Sequence, residues 1–238
     1  MRVSFGKQIK KLSKEEYFNL VKSGDLENIK NSFQKKEIKA PNETDDENQN
    51  VLFAMMIELQ NDEKCLNILK YLCLEQHIDP SIMDNNQQNL LFYSCAEGLL
   101  ECTKFLLDNK FNISVNSIDK EGNTPLFYAV RNNCFSIVKY LIENHNCNIN
   151  YENKENKNCL YEMQEDNAEM IKYLLSKGAQ SNIYLRKLMR QTGQFNVYNI
   201  LCGNDNNESY NFYCFFQNDQ QIDSRTIMDR INNNVNKN

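Results

Sequence analysis

Residues Asp119–Asn150 read DKEGNTPLFYAVRNNCFSIVKYLIENHNCNIN, and the punctuation of this stretch decides the fold. Thr124 stands directly before Pro125, and apolar residues at helical spacing follow. A Thr at the N-cap can accept a hydrogen bond from a free backbone N–H, and Pro at the next position gives up an N–H that had no partner. The DKEGN run just ahead is turn chemistry, with Gly122 able to take positive φ. The pattern predicts a first helix from about Pro125 to Asn132. A second is predicted from about Phe135 to Asn144, carrying Ile137, Val138, Tyr140, Leu141 and Ile142.

The same unit recurs. Asp84 to Ile118 aligns with it at a constant offset of 35, which puts Asn89 on Thr124, Leu90 on Pro125, Leu91 on Leu126, Phe92 on Phe127 and Tyr93 on Tyr128. Cys102, Lys104, Phe105 and Leu106 fall on Ile137, Lys139, Tyr140 and Leu141, and Gly98 sits at the turn between the helices. Upstream, NVLFA (50–54) and ILKYL (68–72) answer the same anchors with five extra residues around Leu59–Glu63, which should lengthen the first helix or its loop. Downstream, Asn158, Leu160 and MIKYLL (170–175) answer them with one residue missing, so that first helix should be short or distorted. In the first residues, Ser13 and Glu16 fit a capping box, and Gly24 breaks a helix pair whose faces carry Tyr17, Phe18, Leu20 and Val21, then Leu26, Ile29 and Phe33.

TPLFYA (124–129) resembles the T-P-L-H-x-A signature of the ankyrin repeat, with Phe127 in the place of the family's His, and LLSKGA (174–179) resembles its L-L-x-x-G-A ending. The resemblance implies an all-α fold, an ankyrin-repeat solenoid of stacked helix-turn-helix units with β-hairpin-type loops. The organisation it implies is a basic arm (1–12), a repeat domain (13–203) and a tail (204–238), aromatic and then Asn-rich. The repeat domain divides into a capping helix pair (13–40), units at 45–83, 84–118, 119–152 and 153–181, and a degenerate last repeat (182–203). One repeat cannot bury its own apolar face, so Leu52, Leu91, Leu126 and Leu160 should form a core ladder between neighbours. Three repeats carry Asn50, Asn89 and Asn158 where the family has Thr, and Asn caps equally well. In the arm, Phe5, Ile9 and Leu12 suit either a small membrane-surface helix or a solvated segment packed on the first repeat. In the tail, Tyr210, Phe212, Tyr213, Phe215 and Phe216 either cover the open end of the last repeat or bind a partner.

Composition narrows the function. A net charge of −5 and a pI of about 5.3 argue against electrostatic binding to nucleic acid or anionic lipid. No apolar run reaches membrane-spanning length, and MRVSFGKQIKK lacks the apolar core of a signal peptide. The expected setting is therefore intracellular, cytoplasmic with the nucleus as an alternative, with the nine cysteines reduced. No C-x-x-C occurs and only two histidines are present, so neither a metal nor another cofactor is implied. About one residue in six is Asn, a drift expected in loops and caps.

Catalytic motifs are missing. There is no nucleophile elbow, no phosphate loop and no paired metal ligands. His145 and Cys147 are close enough to suggest a thiol–imidazole pair, but they fall in the loop after a second helix, and His77 falls in the equivalent loop of an earlier repeat. The acidic run Asp45–Glu47 lacks the alternation of a calcium loop.

Surface remains. By the resemblance, a protein partner is bound on a concave face made by the loop tips and the exposed side of the first helices. Carried over residue by residue, that face comprises Asp46, Glu47 and Gln49; Asn85, Asn86, Gln88, Ala96 and Glu97; Lys120, Glu121, Asn123, Arg131 and Asn132; and Lys154, Glu155 and Lys157. It runs from acidic to mixed or basic. The expectation is a monomeric, non-catalytic scaffold or adaptor, with a regulatory portion or subunit of a larger enzyme as the alternative. A redox sensor built on the cysteines is a third reading, weakened because most cysteines map to core positions.

Overall fold

The ladder of apolar first helices dictates a stack. The computed structural model describes residues 11–163, 167–191, 193 and 195–202. The basic arm up to residue 10 and the aromatic and Asn-rich tail lie outside the described residues. The chain divides into two compact units, 1–164 and 165–238.

In the first unit, helix pairs succeed one another: α1 (Lys14–Lys22) with α2 (Leu26–Gln34), α3 (Val51–Glu58) with α4 (Asp62–Lys70), α5 (Leu90–Ala96) with α6 (Leu100–Asp108), and α7 (Pro125–Arg131) with α8 (Phe135–Asn144). A single 3-10 turn, Cys159–Glu162, follows as the shortened first helix of the next repeat. First helices pack on first helices, α1 on α3, α3 on α5, α5 on α7 and α7 on the 3-10 turn, while α4 packs on α6 and α6 on α8. Leu52, Leu91, Leu126 and Leu160 are all buried along this line. The second unit holds α9 (Ala168–Ser176), α10 (Ile183–Gln191) and α11 (Phe195–Leu201), with α11 packed on both α9 and α10.

Local chemistry explains the boundaries. Ser13 and Glu16 form a reciprocal capping box on α1. Asn50, Asn89 and Asn158 accept from the N–H of Leu52, Leu91 and Leu160 at 3.0, 3.1 and 3.2 Å. Thr124 corrects the expectation on which the reading began. Its side chain caps nothing, and its Oγ1 is buried without a hydrogen-bond partner. Asn is also the residue that turns the chain: Asn48, Asn112, Asn133, Asn146 and Asn156 all have positive φ, as do Lys36, His77 and Gln87. A short amide side chain tolerates that conformation better than most, which gives the Asn-rich composition a structural use.

Most of the five extra residues of the 45–83 repeat go elsewhere than expected. α4 begins at Asp62, six residues before Ile68, whereas α8 begins at Phe135, two before Ile137. Four of the five therefore lengthen the second helix, which ends in a π-helical turn at Tyr71–Glu75, and one lengthens the first, which has eight residues in α3 against seven in α7. The early start has a purpose in packing. Asp62 reaches the next repeat and accepts from the N–H of Glu101 at 2.7 Å and of Cys102 at 3.0 Å, capping α6, which has no side-chain cap of its own.

Candidate functional site

Each loop tip is tied by one acidic or amide side chain. Asp45 Oδ1 accepts from the N–H of Glu47 and Gln49, Asp84 Oδ1 from Asn86 and Gln88, Asp119 Oδ1 from Glu121 and Asn123, and Asn153 Oδ1 from Glu155 and Lys157, all between 2.8 and 3.1 Å. Consecutive tips are then joined through the backbone: Asn85 N to Glu47 O at 2.9 Å, Lys120 N to Asn86 O at 2.9 Å, and Lys154 N to Glu121 O at 3.1 Å. The third junction needs a glycine, because Gly122 has φ +82° and a Cβ there would lie 3.0 Å from Lys154 N. The loops form no strand among the described residues. One isolated bridge, Thr44 with Asn50, is their only strand-like pairing there.

This construction separates the candidate residues. Asp46, Glu47, Asn85, Asn86, Lys120, Glu121, Lys154 and Glu155 are exposed at the tips, and Glu97 and Asn132 are exposed at the ends of α5 and α7. Lys157 is half-buried and pairs with Glu155, a contact that lowers the carboxyl and raises the ammonium.

Gln49, Gln88 and Asn123 belong instead to seams between repeats. Gln49 Nε2 donates to Tyr93 OH at 2.8 Å and Gln88 Nε2 to Tyr128 OH at 2.6 Å. Each phenol donates onward to its own repeat's carboxylate, Tyr93 to Asp84 at 2.8 Å and Tyr128 to Asp119 at 2.7 Å. Burial, followed by these carboxylates, pushes both phenols well above their ordinary range. Asn123 was expected at the surface, but it is only 6% exposed. It accepts from Asn153 Nδ2 at 2.8 Å and so closes the third seam. A side chain so placed cannot meet a partner.

One further expectation changes. Arg131 is half-buried, with Nε 2.7 Å from Glu162 Oε2 and its guanidinium carbon 5.0 Å from the centre of the Tyr128 ring. Asn132, although exposed, donates to Ala96 O at 2.9 Å and ties Ala96 to the seam. Sequence reading missed Ile57. It stands seven residues after its cap Asn50, as Arg131 stands seven after Thr124, and it is 45% exposed. That equal spacing was the available signal.

The catalytic candidates are accounted for by structure. His145 Nε2 lies 2.9 Å from Tyr140 OH and 3.3 Å from Asp108 Oδ1, joining the ends of α6 and α8. Cys147 is buried, and burial pushes its thiol up to about 12, the wrong direction for a nucleophile. Cys73 is likewise pushed up to about 12, and burial raises Cys95, Cys134 and Cys159. His77 occupies a positive-φ turn position. Among the described residues, no group of three or more His, Cys, Asp or Glu side chains could hold a metal, and no helix is long and apolar enough to cross a membrane.

Comparison with known proteins agrees with the stack. The family described as "Ankyrin repeats (3 copies)" matches residues 55–153 and 112–187, more than half of the chain. The chain belongs to the ankyrin repeat family. It is 33% identical over 96 residues to an ankyrin repeat protein of Rickettsia bellii, covering 39% of this chain and 13% of that protein. It is 30% identical over 97 residues to one of Acanthamoeba polyphaga mimivirus, covering 40% and 15%. A third, from Borreliella burgdorferi, is 37% identical over 82 residues, covering 34% and 20%. The matched part of this ankyrin repeat protein thus spans a fifth or less of each of these relatives. Ankyrin repeats are a general protein–protein interaction module.

Proposed function

We propose that this chain binds a partner protein, without catalysis of its own, through the concave face on which its loop tips line up. The observation that carries the reading is the backbone chain linking Glu47, Asn85, Asn86, Lys120, Glu121 and Lys154 from tip to tip. It holds the loop backbones in fixed order and so lowers the ordering cost of binding, which is what a preorganised surface requires. The order of charge is acidic at Asp46 and Glu47, neutral at Asn85 and Asn86, and mixed at Lys120, Glu121, Lys154 and Glu155. Such a gradient favours a partner of opposite gradient in orientation more than in affinity. The buried thiols support a reducing setting, the cytoplasm or the nucleus, and a monomer serves the reading best.

Affinity capture with the folded protein tests it. Lys120→Glu with Lys154→Glu should weaken the captured protein, while Lys139→Glu with Lys172→Glu, on second helices, should not. Arg131 is left out of the test because of its ion pair with Glu162. Capture lost with the second-helix pair and kept with the tip pair would reject the face.

A second reading has its own support. The relatives matched here are several times longer than the matched segment. This favours a regulatory ankyrin portion working beside other domains or on a larger enzyme.

A further inference from the structure

The turn that caps α6 also brings two thiols together. Asp62 opens α4, and Cys65 follows it on the same face, in the first turn of that helix. From the next repeat, the N–H of Cys102 donates to Asp62 Oδ1 at 3.0 Å, and its Sγ lies 3.7 Å from the Asp62 carbonyl oxygen. The Cys102 sulfur therefore rests against the turn of α4 that carries Cys65. There the two side chains hydrogen-bond each other, S–H to sulfur. Both residues are fully buried where α4 packs on α6. Packing alone does not ask for sulfur here, since the position of Cys102 holds Ile137 in the next unit.

The contact changes how the pair reacts. The hydrogen bond from Cys102 draws the Cys65 thiol below its ordinary value against the opposing effect of burial, with help from the backbone at Asn61. The same bond, and then burial, pushes Cys102 up. Every other shifted thiol among the described residues moves up. A sulfur held toward its thiolate attacks an oxidant, and a second thiol in contact with it can displace the product. Cys95 also has thiol neighbours, Cys147 and Cys134, but its side chain hydrogen-bonds Thr103 and Ser94 rather than either sulfur.

We propose that Cys65 and Cys102 are a modification site, a dithiol that hydrogen peroxide oxidises to a disulfide joining α4 to α6. Burial selects the oxidant: it shuts out bulky disulfides and leaves a reagent scarcely larger than water, which enters during local opening. The Cys65 thiolate attacks one peroxide oxygen, the O–O bond breaks, and hydroxide leaves as water with the proton that Cys65 had released. Cys65 is then a sulfenic acid. The Cys102 sulfur attacks Cys65 Sγ, the S–O bond breaks, and the departing hydroxide takes the Cys102 proton. Two thiols and one peroxide become one disulfide and two waters, the two sulfurs losing the electrons that the peroxide oxygens gain. The cross-link staples units 45–83 and 84–118 together and restricts the unfolded chain between them.

Peroxide treatment of the folded full chain, followed by alkylation and peptide mass spectrometry, tests the site. A peptide pair joined through Cys65 and Cys102 should be the main cross-link, and a thiol reductant should remove it. Unfolded in urea, where all nine cysteines compete, the chain should lose that preference by about tenfold or more. In Cys102→Ala the reaction should stop at the Cys65 sulfenic acid, trapped with dimedone, while Cys65→Ala should leave Cys102 as slow as the other thiols. Mapping the unsubstituted chain needs no variant, so the test survives a substitution that fails to fold. Both thiols recovered free at a peroxide dose that oxidises them in urea, a dominant cross-link through any other cysteine, or one pattern shared by the folded and unfolded chain would each overturn the proposal.

Discussion

Gln88 donates to the phenol oxygen of Tyr128 across a repeat boundary at 2.6 Å, and Gln49 repeats the same bond to Tyr93 one unit earlier. Each phenol in turn donates a hydrogen bond to the carboxylate that ties its loop tip. The seam between repeats and the shape of the tip are therefore one network, and disturbing either should be felt at the other.

Tyr128→Phe removes one bond each from Gln88 Nε2 and Asp119 Oδ2 in a half-buried site, leaving their longer mutual bond of 3.2 Å. The expected cost is about 1–2 kcal/mol in urea denaturation. Combined with Gln88→Ala, the two changes should be non-additive by about 0.5 kcal/mol or more. Strict additivity would mean that the bond contributes nothing.

Leu126→Ala should destabilise by roughly 2–5 kcal/mol, since Leu126 is fully buried between α5 and the 3-10 turn that pack on α7. A change close to zero in chemical denaturation would contradict the ladder.

Thr124→Val should be neutral or stabilising, within about 1 kcal/mol. The Thr124 hydroxyl is buried and unpaired, so replacing it with a methyl of similar shape removes a desolvated polar group and no bond. A loss of 2 kcal/mol would reveal a partner for Oγ1.

Stability should fall as pH rises above about 10. Burial, reinforced by Asp84 and Asp119, holds Tyr93 and Tyr128 above their ordinary value of 10.0 in the folded state. The unfolded chain then loses its phenol protons first, so their contribution is complete below that pH and declines above it. Melting temperatures followed from pH 9 to 11 should drop less in Tyr93→Phe and Tyr128→Phe than in the parent; an equal slope would rule these phenols out.

The repeats were legible because stacking imposes one apolar spacing many times over. Leu91 and Gly98 repeat the parts played by Leu126 and Asn133, while Asn89 stands on the position of Thr124 and supplies the cap that Thr124 does not. The seams were not legible. Gln88 and Asn123 fall on loop positions that look solvated in one repeat, and only the neighbouring unit shows what they touch. The same holds for Arg131, whose partner Glu162 lies 31 residues away in a helix shortened to one turn. The surplus in 45–83 was misplaced for a related reason: helix length was read within one repeat, while the pull on Asp62 comes from the next.

Asp62 carries one more consequence. By supplying the cap that α6 lacks, it makes 84–118 dependent on the unit before it, although the two look like copies of a common module. Transplanting 84–118 behind a unit without such a carboxylate would remove the cap from the N–H groups of Glu101 and Cys102, so the order of the modules is partly encoded in one side chain.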